Sequence, residues 1–387
     1  MSRIRTVGRR ELLIAGAGLG LTPLACQKAE RRAVQGGSSP EGEARSPLAR
    51  DVVVDVLPLG APPWQTFDPF LFCVHHDDAY PVGNAALGPA ASLDGRRIGR
   101  DFEGKQGWRM YHGDVVPGFP RHPHRGFETV TITRRGFIDH SDSLGATARY
   151  GGGDVQWMTA GSGIVHAEMF PLLRRDAPNP TELFQVWINL PSRSKFVDPH
   201  FSMFWNERIP ERSFRDASGK NTSFRVIAGS VGDDEAPAPP PDSWAASDKG
   251  DVAIWAVRMD PMATFSLPPA PAGADRTLYL FRGSKLQVGT RELRPPVAVR
   301  VVPNAVATLI NGAGEAEVLV LQGRPIGEPI ARSGPFVMND SQQIQQAFAD
   351  YRRTQFGGWP WPRHDPVHAA TDDRFAIHAD GRRDEPS

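Results

Sequence analysis

The sequence predicts an all-β protein whose strands form a sandwich or barrel. Short segments with β-branched residues at alternate positions recur along the chain, as in ETVTITRRGFIDH and DVAIWAVRM, and this period of two is typical of strands. Glycine and proline number 39 and 36 among 387 residues, which favours short strands and many turns over long helices. No helical periodicity separates the strand-like segments, and this points to the same fold class.

The strand-like segments fall into two groups. The first begins at residue 51 and contains DVVVDVLPL, ETVTITRRGFIDH, DVQWMTAGSGIVHAEMF and LFQVWINLP. The second contains SFRVIAGSV, DVAIWAVRM, ATFSLP, RTLYLFRGSKLQVG, PVAVRVVP and EAEVLVLQG. A chain of 387 residues has room for two domains. We therefore predict two β domains, at residues 51–212 and 213–356.

One helix is predicted near the end of the chain. The segment SQQIQQAFADYRRTQF spaces Ile344, Ala347, Phe348 and Tyr351 as one face of a helix, and Ser341 is a candidate N-cap. Residues 357–387 are polar, so we expect a loosely ordered tail there. The proline-rich segment GDDEAPAPPPDSWAASDKG is expected to be an exposed loop.

The N-terminus has the features of an export signal. Basic residues precede a mildly apolar run at 12–25, which is shorter than the about 20 residues needed to span a bilayer. Arg9-Arg10 resembles a twin-arginine signal, and TPLAC resembles a lipoprotein cleavage box in which Cys26 carries the lipid, although Pro23 replaces the usual leucine. We predict export to the periplasm, with membrane attachment only through a lipid on Cys26. The alternative is a cytosolic protein with a basic tail.

Composition and charge indicate a flexible tether and exclude a strong net charge and a disulfide framework. Residues 27–50 are small and polar, so residues 1–26 should connect to the folded part through a flexible tether. Lys plus Arg equals Asp plus Glu at 44 each, so the formal net charge is zero and nothing argues for a nucleic-acid partner. The two cysteines, Cys26 and Cys73, provide no disulfide framework. Cys73 is expected to be a small buried apolar residue.

Two pairs of polar residues form a candidate metal site. His122 and His124 are separated by one residue, as are His166 and Glu168 about 40 residues later. In a strand, positions i and i+2 face the same side, so each pair can point inward. Three imidazoles and one carboxylate suit Fe(II), Mn, Ni, Cu or Co in an open site, whereas a closed zinc site would use thiolates. The alternative for His122 and His124 is a pair of surface histidines beside a proline.

Four motifs resemble those of the pirin family, within the cupin superfamily. They are HPHRGFETVT, GDVQWMTAGSGIVHAEM, LFQVWINLPSRSKFVDP and GRPIGEPIARSGPFVMN, and the resemblance runs from Phe67 to Arg353. It implies a bicupin of two antiparallel jelly-roll barrels, with one divalent metal, typically iron, in the N-terminal barrel. By this resemblance the ligands are His122, His124, His166 and Glu168. The C-terminal barrel is expected to hold no metal, since no histidine occurs between His200 and His364.

Residues near the candidate ligands also have expected roles. Glu128, four residues after His124, is expected to orient an imidazole from outside the ligand set, and the alternative is a further carboxylate near the pocket. By the resemblance, the run at 75–78, HHDD, is expected in a loop at the rim of the barrel, with direct metal binding as the alternative, and His140 is expected to be structural. Arg125 is expected to steady the ligand segment through backbone carbonyls.

Two classes of function follow from the resemblance. Some pirins resemble quercetin dioxygenases, which open the flavonol heterocycle with O2, so a small aromatic enol and O2 are the expected substrates. Glu168 would then be the general base that accepts the substrate hydroxyl proton. The alternative is a metal- or redox-dependent binding or sensor protein of the cell envelope. A third possibility, a scaffold with a vestigial site, is disfavoured by the four intact ligand positions.

The connection at residues 82–118 is longer than the resemblance predicts. It precedes the ligand segment directly and is a candidate lid, with Trp108, Met110 and Tyr111 as pocket wall. The alternative is that these three residues anchor the loop to the barrel. We expect a monomer, because two barrels in one chain cover each other's exposed edges.

Overall fold

The computed structural model describes residues 51–387, and antiparallel strands dominate this part of the chain. The predicted export signal, the lipid on Cys26 and the tether lie outside the described residues and stay predictions. Within residues 51–387 no helix is long and apolar enough to cross a membrane.

The strands up to residue 204 are short and separated by turns, as the Gly and Pro content predicts. They are β1 (Val53–Pro58), β2 (Phe70–Tyr80), β3 (Gly118–His124), β4 (Phe127–Arg135), β5 (Phe137–Asp142), β6 (Thr147–Gly151), β7 (Val155–Thr159), β8 (Ile164–Met169), β9 (Asn179–Asn189) and β10 (His200–Phe204). Single 3-10 turns lie at Lys105–Gly107, Ser192–Ser194 and Asn206–Arg208.

The later strands follow the same pattern. They are β11 (Glu211–Arg215), β12 (Asn221–Ala228), β13 (Ser230–Val231), β14 (Asp234–Glu235), β15 (Ala253–Met259), β16 (Thr264–Leu267), β17 (Asp275–Arg282), β18 (Leu286–Val288), β19 (Arg291–Leu293), β20 (Val297–Val301), β21 (Ala307–Asn311), β22 (Ala316–Gly323), β23 (Ala331–Ser333), β24 (Phe336–Met338), β25 (Phe375–Ile377) and β26 (Arg383–Asp384). Helix α1 spans Ser341–Thr354, and further 3-10 turns lie at Trp244–Ala246 and Gln355–Gly357.

Four sheets stack into two sandwiches. Their strand orders are β26-β25-β6-β5-β8-β3, β10-β7-β4-β9-β2, β1-β20-β17-β22-β15-β12-β11 and β16-β21-β18-β19, and β13-β14 and β23-β24 are separate hairpins. The first two sheets enclose one apolar core and the last two another, while a third core lies between the five- and seven-stranded sheets. The all-β, jelly-roll type of fold is therefore confirmed. The predicted barrels are not closed, because each half consists of two stacked sheets with open edges.

Both ends of the described chain cross between the two halves. The sequence prediction groups β1 with residues 51–212, but β1 pairs with β20 in the second sandwich. Conversely, the tail predicted to be loosely ordered forms β25 and β26, and β25 pairs with β6 of the first sandwich. Alternation indicates that a segment is a strand, but not which partner it pairs with, and this is why both assignments differ from the structure.

A buried arginine fixes the tail in place. Arg149 on β6 has no exposed surface, and its Nε and Nη2 each donate to the Asp139 carboxylate at 2.7 Å. The remaining Arg149 donors reach the backbone carbonyls of His368, Ala369 and Asp372. A buried ion pair persists only with such complete hydrogen bonding, so the polar composition of residues 357–387 does not prevent their ordering.

Helix α1 matches the prediction apart from its cap. Asp340, not Ser341, is the N-cap, because its side chain accepts a hydrogen bond from the Gln343 backbone N–H at 2.8 Å. Ile344 and Ala347 are buried, and the predicted apolar face packs on the β24 residues Phe336 and Met338.

Candidate metal centre

The candidate site is built on β3 and β8, which pair in antiparallel fashion. His122 lies directly opposite His166 in this register, and a bulge precedes His122. The His122 and His166 ring centroids are 4.3 Å apart, and His124 lies 4.8 Å from the first ring and 4.9 Å from the second. One nitrogen from each ring lies within 4.8 Å of the others. The structure therefore brings together the three imidazoles that the sequence singled out.

Backbone carbonyls orient two of the rings. His122 Nδ1 lies 2.9 Å from the Pro120 carbonyl oxygen, and His124 Nδ1 lies 3.4 Å from that of Pro335. A ring nitrogen that faces a carbonyl must carry the proton, which leaves Nε2 of each ring with its lone pair free for a metal.

The buried His166 ring has no hydrogen-bond partner within residues 51–387 for either of its nitrogens. Its side chain has no exposed surface, and neither ring nitrogen has a hydrogen-bond partner among the described residues. Leaving a buried polar group unpaired costs about 1–3 kcal/mol. An ion held between the three rings would supply the absent partner, so the residues present fit a metal.

Burial also keeps the three imidazoles neutral. It lowers the pKa of His122 to about 4, and it lowers the pKa values of His124 and His166 well below the ordinary value for histidine. Metal binding requires the deprotonated ring. All three rings are therefore in the ligating form at neutral pH without any cost of deprotonation.

Glu168 lies beside the imidazoles in a hydrogen-bonded position. Its Oε2 is 3.9 Å from His166 Nε2, and it is not part of the compact three-nitrogen group. Thr131 Oγ1 donates to Glu168 Oε1 at 3.1 Å, and Gln185 Nε2 donates to Oε2 at 2.9 Å. Trp187 Nε1 in turn donates to Gln185 Oε1 at 3.3 Å. The carboxylate is thus oriented by strands β4 and β9 of the neighbouring sheet.

Sequence reasoning missed Thr131, Gln185 and Trp187 as parts of this site. The available signal was a polar residue inside an otherwise buried strand, as at Gln185 in LFQVWINLP and Thr131 in ETVTITRR. Such a residue needs a partner within the core. The sequence does not show that the partner is Glu168, because β4 and β9 belong to a different sheet from β8.

The turn that follows His124 is held by two cations. Arg125 Nε donates to the Ser162 carbonyl at 2.6 Å, as predicted, and its Nη1 pairs with Asp350 of α1 at 2.9 Å. Lys195 Nζ donates to the Gly126 carbonyl at 2.8 Å. Gly126 has φ of +83°, and a Cβ there would lie 2.0 Å from the Val337 carbonyl oxygen, so only glycine fits this turn.

Aromatic rings and a further histidine surround the ligand positions. Phe127 and Trp187 lie 5.0 and 5.4 Å from the His124 ring, between centroids. His140 is fully buried 5.6 Å from the His166 ring, between centroids, and its Nε2 lies 3.2 Å from Asp142 Oδ2. These contacts fix the walls around the site.

Glu128 does not orient an imidazole, so that expectation is wrong. Thr159 donates to its Oε1 at 2.7 Å, and Ser243 donates to its Oε2 at 2.6 Å. The residue is fully buried, and its partner Ser243 belongs to the second half of the chain. The i+4 spacing from His124 was misleading because β3 and β4 lie in different sheets.

Glu128 should make stability depend on pH. Burial raises the pKa of its carboxyl from 4.5 to about 7, so between these values the folded state binds the proton that the unfolded state releases. This contribution is complete below pH 4.5 and is lost as pH rises through 7, at a cost of about 3 kcal/mol. We expect Glu128→Gln to shrink the loss of melting temperature between pH 5 and pH 8. An equal loss in Glu128→Gln and the original protein would contradict this. Glu211→Gln, at an exposed site, is the matched control.

The HHDD run lies in strand β2 and not in a rim loop. His75, Asp77 and Glu182 place ligand-type atoms within 4.8 Å of one another. Arg134, Arg135 and Arg282 all pair with these carboxylates, at 2.9 to 3.3 Å. Three guanidinium groups repel a metal ion, so this group is an ion-pair cluster at the contact between the two sandwiches.

The residues of the long connection serve as anchors. Trp108, Met110 and Tyr111 are buried in the core of the first sandwich. The Tyr111 hydroxyl donates to Asp78 Oδ2 at 2.6 Å, and it lies 2.6 Å from His76 Nδ1. This burial favours the anchoring alternative for these residues over a mobile lid.

Comparison with known proteins agrees with this fold. Residues 58–188 match the family described as Pirin, and residues 254–357 match the Pirin C-terminal cupin domain. The candidate ligands all lie in the first matched region. A solved structure of a quercetin 2,3-dioxygenase from Acinetobacter baumannii is similar with a TM-score of 0.61 and 25% identity, over 79% of this chain and 98% of that chain.

Alignments with individual curated relatives cover most of the length of each relative. A pirin-like protein of Caulobacter vibrioides is 31% identical over 303 residues, which are 77% of this chain and 91% of the relative. A candidate quercetin 2,3-dioxygenase of Pseudomonas aeruginosa is 36% identical over 239 residues, 62% of this chain and 79% of the relative. Human pirin is 32% identical over 257 residues, 64% of this chain and 80% of the relative. The chain therefore belongs to the pirin family.

Proposed function

We propose that the protein binds one divalent transition metal through His122, His124, His166 and Glu168 and uses it as a dioxygenase of the quercetinase type. The observation that carries the proposal is the buried His166 ring, whose two nitrogens have no partner among the described residues while two further imidazoles lie within 4.8 Å. The similarity to a quercetin 2,3-dioxygenase structure supports the reaction class.

Iron is the first candidate metal, with Cu, Ni, Co and Mn as alternatives. Three imidazoles and one carboxylate accept most of these ions. Among residues 51–387 the site has no thiolate ligand, because Cys73 is fully buried in the core between the two sandwiches and lies apart from the site. When bound, the metal would supply Lewis-acid and redox chemistry toward an aromatic enol and O2.

The chain's own groups would bind the substrate and move its proton. Glu168 would accept the proton of the substrate hydroxyl at a carboxylate oxygen, while Thr131 and Gln185 hold the carboxylate in place. Phe127 and Trp187 beside His124 would provide an apolar wall for an aromatic ring. Burial of Glu168 and His166 would exclude water from the reacting atoms.

The test combines metal analysis with an oxygen electrode. We expect about one equivalent of a transition metal per chain by elemental mass spectrometry, as one four-ligand site implies, and O2 consumption when quercetin is added. Bound metal without O2 consumption would favour the metal-dependent binding or sensor alternative. A protein that holds no metal even after reconstitution would contradict both functions.

A further inference from the structure

A cavity of about 590 Å³ opens inside the second sandwich, and none of the candidate metal ligands lines it. Its volume is within the range of about 300–1,000 Å³ that is typical of small-molecule sites. The floor comes from β12, β15 and β17, and the mouth lies between the exposed residues Ser230, Gly232, Pro268 and Pro271. A small molecule can therefore enter from solvent.

Four aromatic side chains form one wall of this cavity. Phe224 lies 5.7 Å from Phe214, 4.9 Å from Phe265 and 5.9 Å from Trp255, between ring centroids. Phe214 and Phe265 are themselves 5.1 Å apart. Such a cluster presents flat apolar surface and aromatic edges, which favours a ligand with an aromatic or compact apolar body.

A single buried cation faces this aromatic wall. Arg276 on β17 is only 3% exposed, and its guanidinium carbon lies 5.4 Å from the Trp255 ring centroid. Its Nε and Nη2 donate to Gln322 Oε1 at 2.9 and 2.5 Å, and its Nη1 donates to the Pro268 carbonyl at 2.5 Å. All these acceptors are neutral, and no carboxylate among residues 51–387 pairs with Arg276.

The charge of Arg276 is therefore uncompensated in the protein alone. Burial lowers the pKa of Arg276 to about 10, so the guanidinium remains charged at neutral pH while losing solvation. A guanidinium has five N–H donors, and the three bonds above leave two without a protein acceptor. Buried charges are normally paired, which makes this arrangement unusual for a purely structural arginine.

Two neighbouring groups shape what can bind there. The indole N–H of Trp255 is buried and has no acceptor among the described residues. Asp251, the carboxylate on the cavity wall, is occupied by an ion pair with Arg324. Gln322 Nε2 donates to the Asp251 backbone carbonyl at 3.1 Å, which fixes the amide that orients Arg276. The groups at the cavity that lack a partner among residues 51–387, which are two N–H groups of Arg276 and the Trp255 indole N–H, are therefore all hydrogen-bond donors.

We propose that this cavity binds a small aromatic molecule that carries one carboxylate. The carboxylate would accept hydrogen bonds from Arg276 and lie near the Trp255 indole N–H, and the aromatic body would pack on Phe214, Phe224 and Phe265. One guanidinium in an apolar cavity matches a single negative charge better than the double charge of a phosphate. This site is independent of the proposed metal function.

The test is isothermal titration calorimetry of the full chain with benzoate. We expect saturable binding of benzoate and none of benzyl alcohol, which has the ring without the charge. Arg276→Gln should weaken benzoate binding roughly 10- to 100-fold, the range for a hydrogen bond to a charged group. Arg258→Gln removes an exposed arginine from strand β15, which also lines the cavity, and should leave benzoate binding unchanged.

A second variant keeps the proposal testable if Arg276→Gln does not fold. Ser230→Trp changes an exposed residue at the cavity mouth, so it should fold and block benzoate while Arg276 remains. His166→Ala should bind benzoate as the original protein does, which separates this site from the metal centre. The proposal is overturned if benzoate does not bind, if benzyl alcohol or inorganic phosphate binds equally well, or if Ser230→Trp retains benzoate affinity.

Discussion

Replacing His166 by alanine is expected to remove the metal and all oxygen consumption. His166 is one of the three grouped imidazoles and lies opposite His122 in the β3–β8 register. Loss of groups that merely support a ligand lowers metal affinity roughly 10- to 100-fold, so loss of a ligand should have at least this effect. Elemental mass spectrometry of the purified variant, beside the original protein, measures the outcome.

His200→Ala is the matched control for this experiment. His200 is exposed at the start of β10 and belongs to no group of candidate ligands. It should retain the metal content of the original protein. Circular dichroism melting would verify that His166→Ala is folded. A folded His166→Ala protein with undiminished metal would show that the metal lies elsewhere.

Glu168→Gln is expected to lower turnover by roughly 10²- to 10⁴-fold, the usual contribution of a general base. Glutamine keeps the size of the side chain and one oxygen that can accept from Thr131 or Gln185, so the surroundings should persist. It cannot accept the substrate proton. The maximal rate of quercetin-dependent O2 consumption, measured with excess metal, gives the result.

The metal content of Glu168→Gln separates the two roles predicted for this residue. If metal is retained and turnover falls, Glu168 acts as the base. If the metal is lost along with turnover, its main role is that of a ligand. Unchanged turnover would contradict both roles. Glu211→Gln, which alters an exposed carboxylate on β11, should change neither measurement.

The candidate metal residues were accessible to sequence reasoning because their geometry is local. Two residues separated by one position in a strand face the same side whatever the strand's partner is. His122 with His124, and His166 with Glu168, therefore needed only the strand assignment. The same argument identified the buried face of α1, where Ile344 and Ala347 pack on β24.

Local patterns were misleading where an interaction depends on the pairing of sheets. Glu128 has a suitable distance in sequence from His124, yet its partners are Thr159 and Ser243. The tail at 357–387 has the composition of a loose segment, yet carbonyls within it are acceptors for the buried Arg149. In each case the decisive partner is remote in sequence.

The sequence by itself determined the fold class and the two pairs of candidate ligands, because each rests on alternation or spacing within a short segment. It also determined the family resemblance, which rests on four continuous motifs. Only the tertiary structure decided that β1 joins the second sandwich, that Thr131 and Gln185 hold Glu168, and that Arg276 faces an aromatic cavity without a counter-charge. These features depend on the register of strands distant in the chain. A one-residue slip would turn each of these side chains to the opposite face, and a local pattern contains no information about that register.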